Sequence, residues 1–285
     1  MKIFVTGGTG FIGSNFLKLA LSQDLEVYAM RRNKKKPKLF LNKKPIWIES
    51  SYEEVDFSKL QKIDLLLHIA SYGVLEKNPS LINCFENNVT GPLKLFEKAK
   101  DIGIKNFIVI GSCFEYGKSG LRYKFIPPDA PLEPTLPYGV SKAAASIAFT
   151  QFALQNNLNM KIKRLFHVYG EGEDENRFYP SLIHAAENGL DFPMTKGQQI
   201  RDFSNVKEVA KELLKECKNV KNEKSAKIVI SNFGSGEETS LLEFSQRIWK
   251  EKNAKGKILF GSKKYREGEV MRFVPDIKSL NIIRN

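Results

Sequence analysis

A run of closely spaced glycines near the start of the chain constrains its fold more than any other feature. Residues 2–6 form a short apolar run, rich in β-branched and aromatic side chains, that is typical of a buried parallel strand. Gly7, Gly10 and Gly13 follow in a G-x-x-G-x-x-G spacing and open a helical pattern of apolar residues. A glycine turn can be purely structural. A strand before it, a helix after it and a second strand pattern at residues 26–30 favour a dinucleotide site.

In such a site, glycine is required at each of the three positions for a different reason. A side chain at Gly7 would block the turn, one at Gly10 would keep the backbone away from a pyrophosphate, and one at Gly13 would push the helix off the strand. The free N–H groups and the positive dipole end of the helix then face the phosphates. The sequence predicts a cofactor-binding turn formed by Gly7, Gly10, Phe11, Ile12 and Gly13.

Length and composition narrow the class of protein. The 285 residues are enough for one large α/β domain or for one and a half, and no Pro-, Gly- or Ser-rich linker divides them. No apolar run approaches the ~20 residues that span a bilayer, and the chain enters a strand directly, without a signal-peptide pattern. We therefore expect a cytoplasmic protein without a membrane partner.

Three unevenly spaced cysteines argue against a disulfide framework or a zinc cluster, so we expect reduced thiols and no metal site. The formal net charge of +13 permits a nucleic-acid partner. The lysines are scattered, however, without a basic helix or a groove lined by aromatic residues, so we expect no nucleic-acid partner. The excess positive charge suits anionic ligands such as a dinucleotide and a sugar diphosphate.

Strand and helix patterns alternate through the first two thirds of the chain, which indicates a parallel sheet with helices on both faces. The fold class we predict is α/β, a doubly wound (Rossmann) sheet with a smaller α/β substrate-binding lobe. Helical patterns at residues 88–99 and 143–154, and strands at 45–48, 64–69 and 107–110, support this prediction.

The end of the second strand bears on the choice of cofactor. NAD-binding proteins usually place a carboxylate there for the ribose 2′-OH, whereas this chain has Arg31 and Arg32, which suit a 2′-phosphate. The other interpretation is a solvated basic loop, because lysines follow. We expect NADP rather than NAD, with Glu49 and Ser50 near the adenine and Ala70, after the fourth strand, also at the cofactor.

A serine, a tyrosine and a lysine form a candidate catalytic set. Ser112 follows the fifth strand, while Tyr138 and Lys142 are four residues apart and lie on one helix face. A neighbouring ammonium favours phenolate and lowers a tyrosine pKa from about 10. Tyr138 can then give a proton to a carbonyl oxygen that Ser112 also binds, while Lys142 holds the cofactor's ribose.

These motifs make the chain resemble the extended short-chain dehydrogenase/reductase family, the NAD(P)-dependent epimerase/dehydratase group that acts on nucleotide sugars. The resemblance covers almost the whole chain: TGGTGFIG, Ser112 before Tyr116-Gly117, Y-G-x-S-K at residues 138–142, GQQIRDF at 197–203 and REGE at 266–269. His167 stands where the family has asparagine. The resemblance implies a nucleotide-diphosphate sugar as substrate, bound by His167, Arg177, Arg201 and Arg266.

The same resemblance implies an NADP-binding domain over residues 1–165, completed by 204–235, and an interleaved substrate-binding lobe over 166–285. Apart from substrate binding, Arg201 could form a salt bridge to its neighbour Asp202, and Arg266 could be a solvated loop charge. Relatives pair two helices into a four-helix bundle, and the helical patterns at 88–99 and 141–154 carry small and apolar residues beyond one face. We expect a homodimer.

The residues after Ser112 help to choose the reaction. Sugar dehydratases of the family have an Asp-Glu pair there for acid and base, but this chain has Cys113-Phe114, and Cys113 is one residue too early for the cysteine of C3/C5 epimerases. We predict NADPH-dependent reduction of the 4-keto group of a nucleotide-linked deoxysugar, for glycan biosynthesis. The alternatives are a 4-epimerase with tightly bound NAD and a non-catalytic NADP sensor. The intact Ser112, Tyr138 and Lys142 argue against the sensor.

Overall fold

The computed structural model describes residues 1–23, 25–60, 62–76, 78–220, 226–266 and 268–283. The first half of the chain forms these elements in order: β1 (Lys2–Thr6), α1 (Phe11–Ser22), β2 (Glu26–Arg31), β3 (Ile46–Glu49), β4 (Leu65–His68), α2 (Leu81–Phe85), α3 (Gly91–Asp101), β5 (Asn106–Ser112) and α4 (Pro137–Gln155). The second half forms β6 (Asn159–Leu165), β7 (His167–Tyr169), α5 (Phe178–Glu187), β8 (Phe192–Met194), β9 (Ile200–Arg201), β10 (Phe203–Asn205), α6 (Val206–Asn219), β11 (Ile228–Phe233), β12 (Thr239–Ser240), α7 (Leu241–Glu251), β13 (Ile258–Phe260), β14 (Arg272–Phe273) and β15 (Leu280–Ile283).

The central sheet has the strand order β15-β11-β6-β5-β4-β1-β2-β3 among the described residues. All neighbouring strands in it are parallel except β15, which pairs antiparallel with β11 at one edge. The order reverses direction between β1 and β4, which places a crevice at the carboxyl ends of these strands. The doubly wound α/β fold predicted from the sequence is confirmed.

Helices cover both faces of the sheet, as its apolar strands require. Phe16 and Leu17 of α1 and Leu213 of α6 belong to the buried cluster on one face. Phe96 of α3 and Phe149 of α4 belong to the cluster on the other face, where their ring centroids are 4.9 Å apart. The two layers fix α4, and with it Tyr138 and Lys142, against the sheet.

The helix predicted from residue 88 begins earlier, at Leu81, because Ser80 is the N-cap and accepts a hydrogen bond from the Asn83 N–H at 3.4 Å. A π-helical turn over Glu86–Thr90 then joins α2 to α3. Pro92 lies in the first turn of α3, a position typical of a helix start. The helix-start signal of Pro92 therefore lies inside a longer, continuous helix.

Short strands and two helices form the remaining layer. The pairs are β10 with β7 and β13 with β8, β9 joins β12 and β14, and α5 and α7 pack around buried Leu182 and Phe244. Both β11 and β15 come from the second half of the chain but lie in the central sheet, and the division into two domains stays a prediction. No helix in the described ranges is both long and apolar enough to cross a membrane.

Candidate functional site

A cavity of about 460 Å³ opens at the carboxyl ends of the central strands. It is the place where an open α/β sheet binds its ligand, because the loops that leave the strands diverge there. The structure brings thirteen of the predicted site residues to its lining: Gly7, Gly10, Phe11, Ile12, Gly13, Arg31, Arg32, Ala70, Ser112, Tyr138, Lys142, His167 and Arg177.

The glycine turn has the geometry expected of it. Gly7 has φ +75°, and a Cβ there would lie 2.5 Å from the Ala70 nitrogen. A Cβ on Gly13 would lie 2.1 Å from the Gly7 carbonyl oxygen. At Gly10 a Cβ would meet only the Gly7 oxygen, at 3.3 Å, so packing within the protein explains this glycine least. Gly10 lines the cavity, and the absence of a side chain there leaves room for a pyrophosphate against the first turn of α1.

Cationic side chains cluster at the far end of the cavity, where Lys35 and Lys38 join Arg31 and Arg32 in the lining. The Arg31 guanidinium donates to Glu49 Oε1 at 2.8 Å and lies over the Trp47 ring at 4.7 Å. Glu49 and Ser50, expected near the adenine, do not line the cavity; their neighbours Ser51 and Tyr52 do. Glu49 instead holds Arg31.

Ser112 and Tyr138 meet on one wall. Ser112 ends β5 and is buried, and Tyr138 lies in the first turn of α4. Burial raises the pKa of Tyr138, and hydrogen bonds from Ser71 and Ser112 to its oxygen oppose that effect. The Ser71 Oγ lies 3.5 Å from the phenolic oxygen. A raised pKa keeps the phenol protonated at neutral pH, so Tyr138 has a proton to give.

Lys142 was expected to lower the pKa of Tyr138 through its ammonium. Burial is the largest influence on this phenol, and it raises the pKa of Tyr138. Buried Lys142 donates from Nζ to the Ile110 carbonyl oxygen at 2.6 Å, since β5 presents that acceptor directly below α4. Burial also lowers the pKa of Lys142, against the opposing charge of Glu115.

A buried ion pair beneath Ser112 was missed from the sequence. Glu115 is fully buried and accepts from the Ser112 N–H and the Arg164 Nε, each at 2.7 Å, and from the Ser146 hydroxyl at 2.6 Å. The Phe114 N–H donates to the Ser112 Oγ at 3.2 Å, which completes a capping box around a short 3₁₀ turn. The S-x-x-E spacing was the available signal, and this network holds Ser112 in place.

Ser71 and Asn88 were also missed. The buried Asn88 accepts from the Tyr72 N–H at 2.8 Å and donates to the Ser141 Oγ at 2.9 Å, so it ties the loop after β4 to α4. That tie places Ser71 beside Tyr138. An asparagine among apolar helix positions was the signal for Asn88. The position of Ser71 just beyond a parallel strand was the signal for Ser71.

β7 and the segment that follows it also contribute to the cavity lining, with His167, Gly172, Glu173, Asp174 and Arg177. Burial lowers the pKa of His167 to about 3, and the Arg201 charge acts in the same direction. Burial raises the pKa of Glu173 to about 7, against the opposing charge of Arg177. Glu173 was not among the site residues predicted from the sequence, although it follows the Tyr169-Gly170 pair by three residues.

Arg201 and Arg266, both expected at a substrate diphosphate, do not line the cavity. Arg201 donates to the Glu269 Oε1 at 3.1 Å, not to its neighbour Asp202, which instead accepts from Ser204, Ser235 and Gly236. The two sequence motifs thus meet through Arg201 and Glu269. Arg266 is exposed, and Glu267, the next residue of that motif, lies outside the described residues.

Two residues near the site have packing roles. Cys113 is buried, and burial raises the pKa of its thiol to about 12, which makes it a poor acid/base group at neutral pH. His68 is buried, its Nδ1 lies 2.7 Å from the Thr6 Oγ1, and its ring packs edge-on against Phe96 at 5.5 Å.

Comparison with known proteins agrees with this geometry. Residues 3–231 match the family described as the NAD dependent epimerase/dehydratase family. The chain is 27% identical, over 74% of its length and 77% of the relative, to dTDP-6-deoxy-L-talose 4-dehydrogenase (NAD(+)) from Aggregatibacter actinomycetemcomitans. It is 28% identical, over 98% and 90%, to CDP-abequose synthase from Salmonella typhimurium.

Among solved structures, a similar one is a UDP-N-acetylglucosamine 4-epimerase from Methanobrevibacter ruminantium in complex with UDP-N-acetylmuramic acid. The TM-score is 0.84 at 25% identity, with 97% of this chain and 89% of that chain covered.

Proposed function

Because this chain belongs to the NAD dependent epimerase/dehydratase family, we propose that it reduces the 4-keto group of a nucleotide-linked deoxysugar with NADPH. The observation that carries the proposal is the convergence of Ser112 and Tyr138 on one wall of a cavity that also contains the glycine turn. Two relatives at low identity, CDP-abequose synthase and a 4-dehydrogenase of dTDP-6-deoxy-L-talose, support a nucleotide sugar as substrate and glycan biosynthesis as its setting.

The residues divide the chemistry between them. Tyr138 donates its phenolic proton to the ketone oxygen, and Ser112 donates a hydrogen bond to the same oxygen. Lys142, anchored on the Ile110 carbonyl, holds a positive charge beneath the tyrosine and toward the ribose. NADPH, when bound, supplies the hydride for the ketone carbon. The glycine turn holds its pyrophosphate, while Arg31, Arg32, Lys35 and Lys38 line the end expected for its 2′-phosphate.

Reduction fits this wall of the cavity better than dehydration does. Elimination of water needs an acid and a base beside the tyrosine, and the positions that follow Ser112 hold a buried thiol and a phenylalanine. The raised pKa of Cys113 removes that thiol as a base near neutral pH. A proton donor with one supporting hydroxyl is sufficient for a ketone.

A 4-epimerase with tightly bound NAD is the second candidate. One observation favours it: Glu49 pairs with Arg31 at 2.8 Å and neutralises part of the charge available to a 2′-phosphate. The similarity to a structure of a 4-epimerase agrees with it.

Turnover assays separate the two candidates. The purified protein is incubated with NADPH or NADH and a panel of CDP-, dTDP-, GDP- and UDP-linked 4-keto sugars, while the cofactor absorbance is followed. The reductase consumes NADPH with a higher kcat/KM than NADH, and Arg31→Asp shifts the preference toward NADH. Interconversion of UDP-glucose and UDP-galactose without added cofactor, together with NAD released on denaturation, would replace the proposal with the epimerase.

The protein also carries a surface suited to a second copy of itself. Ile147 on α4 is 63% exposed, and Ile82 on the adjoining α2 is 70% exposed. Apolar side chains on two packed helices suit an isologous four-helix contact, so we propose a homodimer through this face.

A further inference from the structure

One side chain in the cavity has no role in the proposed reaction. Glu173 lies in the loop between β7 and α5, and its side chain is only 9% exposed. Its Oε1 lies 3.6 Å from the Arg177 Nε. Its Oε2 is inaccessible to solvent and has no hydrogen-bond partner within the described part of the chain. A buried carboxylate oxygen without a partner is costly, so a ligand group that donates a hydrogen bond to it would stabilise this arrangement.

A second atom on the same segment has the same need. His167 also lines the cavity, and its Nδ1 is buried without a hydrogen-bond partner among the residues described. The Arg177 charge acts on both side chains, so Glu173 and His167 lie near the same guanidinium. A single ligand with several hydrogen-bonding groups could satisfy both orphaned atoms.

The chemistry of the unpartnered carboxylate oxygen defines the ligand group. A carboxylate accepts hydrogen bonds and repels phosphate, so Glu173 itself does not bind a diphosphate. Arg177 is the anion-binding member of the pair, with a side chain that is 44% exposed. The Asn15 side chain, on the first turns of α1, donates to the Glu171 carbonyl oxygen at 2.9 Å, which anchors the loop over the glycine turn. The loop that carries Glu173 therefore lies beside the glycine turn, to which the pyrophosphate of a dinucleotide is assigned.

We propose that the Glu173 carboxylate accepts a hydrogen bond from a sugar hydroxyl of the bound ligand and thereby determines specificity in this cavity. The hydroxyl belongs to the ribose of the dinucleotide or to the hexose of the nucleotide sugar. This inference rests on the proposed function for the identity of these ligands.

Direct binding measurements test it without turnover. NADPH affinity is measured by fluorescence titration. Calorimetry gives the affinity of CDP-, dTDP-, GDP- and UDP-glucose, and of the nucleoside diphosphate that matches the tightest of them. The variants are Glu173→Met, which removes both oxygens, and Glu173→Gln, which keeps the shape if the first variant does not fold. Glu175→Met, an exposed carboxylate in the same loop, is the control.

We expect Glu173→Met to lower ligand affinity about tenfold to a hundredfold, the range for a lost hydrogen bond to a charged group. Glu173→Gln should lose a smaller factor, because a neutral amide oxygen still accepts. If only the affinity for NADPH falls, Glu173 binds a hydroxyl of the dinucleotide's ribose. If the affinity for the nucleotide sugar falls more than that for its sugar-free diphosphate, Glu173 binds a hydroxyl of the hexose.

Two results would overturn the inference. One is an unchanged affinity for both ligands relative to Glu175→Met. The other is an equal loss for the nucleotide sugar and its sugar-free diphosphate with NADPH unaffected. If the wild type binds the ligands while the variants match it, only this inference fails. If the wild type binds neither dinucleotide nor nucleotide sugar, the proposed function fails with it.

Discussion

Tyr138 is the residue on which the proposed chemistry depends most. Its hydroxyl receives hydrogen bonds from Ser71 and Ser112, and burial raises its pKa, so the phenol is protonated when a ketone arrives. Tyr138→Phe should lower kcat by ~10²–10⁴ with ligand affinity little changed, because the ring stays and only the proton is lost. Steady-state kinetics with the best 4-keto sugar measure this effect.

Comparison with neighbouring variants makes the test specific. Ser112→Ala should cost roughly 10²–10³ in kcat, the scale of one lost oxyanion-type donor. Cys113→Ser should leave reduction nearly intact, because that thiol only packs. Near-normal turnover in Tyr138→Phe together with an inactive Cys113→Ser would point to cysteine-dependent epimerase chemistry instead.

Glu173 makes a prediction about pH and stability. Burial raises its pKa from 4.5 to about 7, so the folded protein holds this proton more tightly than the unfolded chain. The stabilisation that this gives is present below the unfolded pKa and is lost as pH rises through about 7. Glu173→Gln cannot ionise, so its free energy of unfolding relative to the wild type should increase from about pH 5 to about pH 8, on the order of 1–3 kcal/mol.

Urea unfolding at a series of pH values measures this difference, with Glu175→Gln as the control. Arg177 and Asp174 line the same part of the cavity in the wild type and in the variant. His167, whose pKa burial lowers to about 3, is uncharged across this pH range. A constant difference between Glu173→Gln and the wild type across this range would contradict the raised pKa.

For single residues, the sequence predicted which side chains belong to the candidate site better than it predicted their hydrogen-bond partners. Ser112 and Tyr138 were found because their positions follow a strand and open a helix. The Glu115–Arg164 pair, the Ile110 acceptor of Lys142 and the Glu269 partner of Arg201 were not found. Each joins side chains from separate elements, and Arg201 and Glu269 are 68 residues apart. Local patterns carry no record of such pairings.

Among the elements, the turn between β1 and α1 gives the sharpest prediction, because two of its glycines are required for different reasons. Gly13→Ala places a Cβ 2.1 Å from the Gly7 oxygen, so it should destabilise the fold. Gly10→Ala meets only that same oxygen, at 3.3 Å, so the fold should be little affected. Its Cβ would instead lie where the pyrophosphate is expected, and NADPH affinity should fall by at least about tenfold.

Thermal unfolding and NADPH titration of the two variants separate these effects, and each variant is the control for the other. Normal NADPH affinity in Gly10→Ala would contradict the assignment of the pyrophosphate to this turn.

Element types were predictable from the sequence, and boundaries less so. The strands and the glycine turn appeared as predicted, because short apolar runs bounded by glycine have few other solutions in an α/β chain. The helix over residues 81–101 was placed seven residues late, since its π-helical turn and Pro92 imitate a helix start. The antiparallel edge strand β15 was not predicted, because its half-buried sequence lacks a strong pattern.

For the whole molecule, the homodimer prediction can be tested at a defined surface, the exposed apolar side chains of α2 and α4. Ile147→Glu should convert a dimer to a monomer at micromolar concentration, because a charge placed in an isologous contact appears twice. Phe260→Glu is the matched control: Phe260 is also 63% exposed, but it lies on β13, away from α2 and α4. Light scattering reports both, and a monomeric wild type would rule the dimer out.

The excess of positive charge has its explanation at this scale too. The formal net charge is +13, and Arg31, Arg32, Lys35 and Lys38 gather at one end of the cavity. The prediction of an anionic ligand came from the overall charge, whereas the cluster that would bind it required the fold. Electrostatic attraction of a dinucleotide to this end should weaken as ionic strength rises.

The most direct test of the central claim follows one atom. NADPH that carries deuterium at its transferable position is incubated with the protein and its best nucleotide-linked 4-keto sugar, and the product is examined by mass spectrometry and NMR. The proposed reduction predicts one deuterium at C4 of the sugar for each NADPH consumed, and none with Tyr138→Phe in the same time. A sugar converted without deuterium at C4 and without NADPH consumption would contradict it.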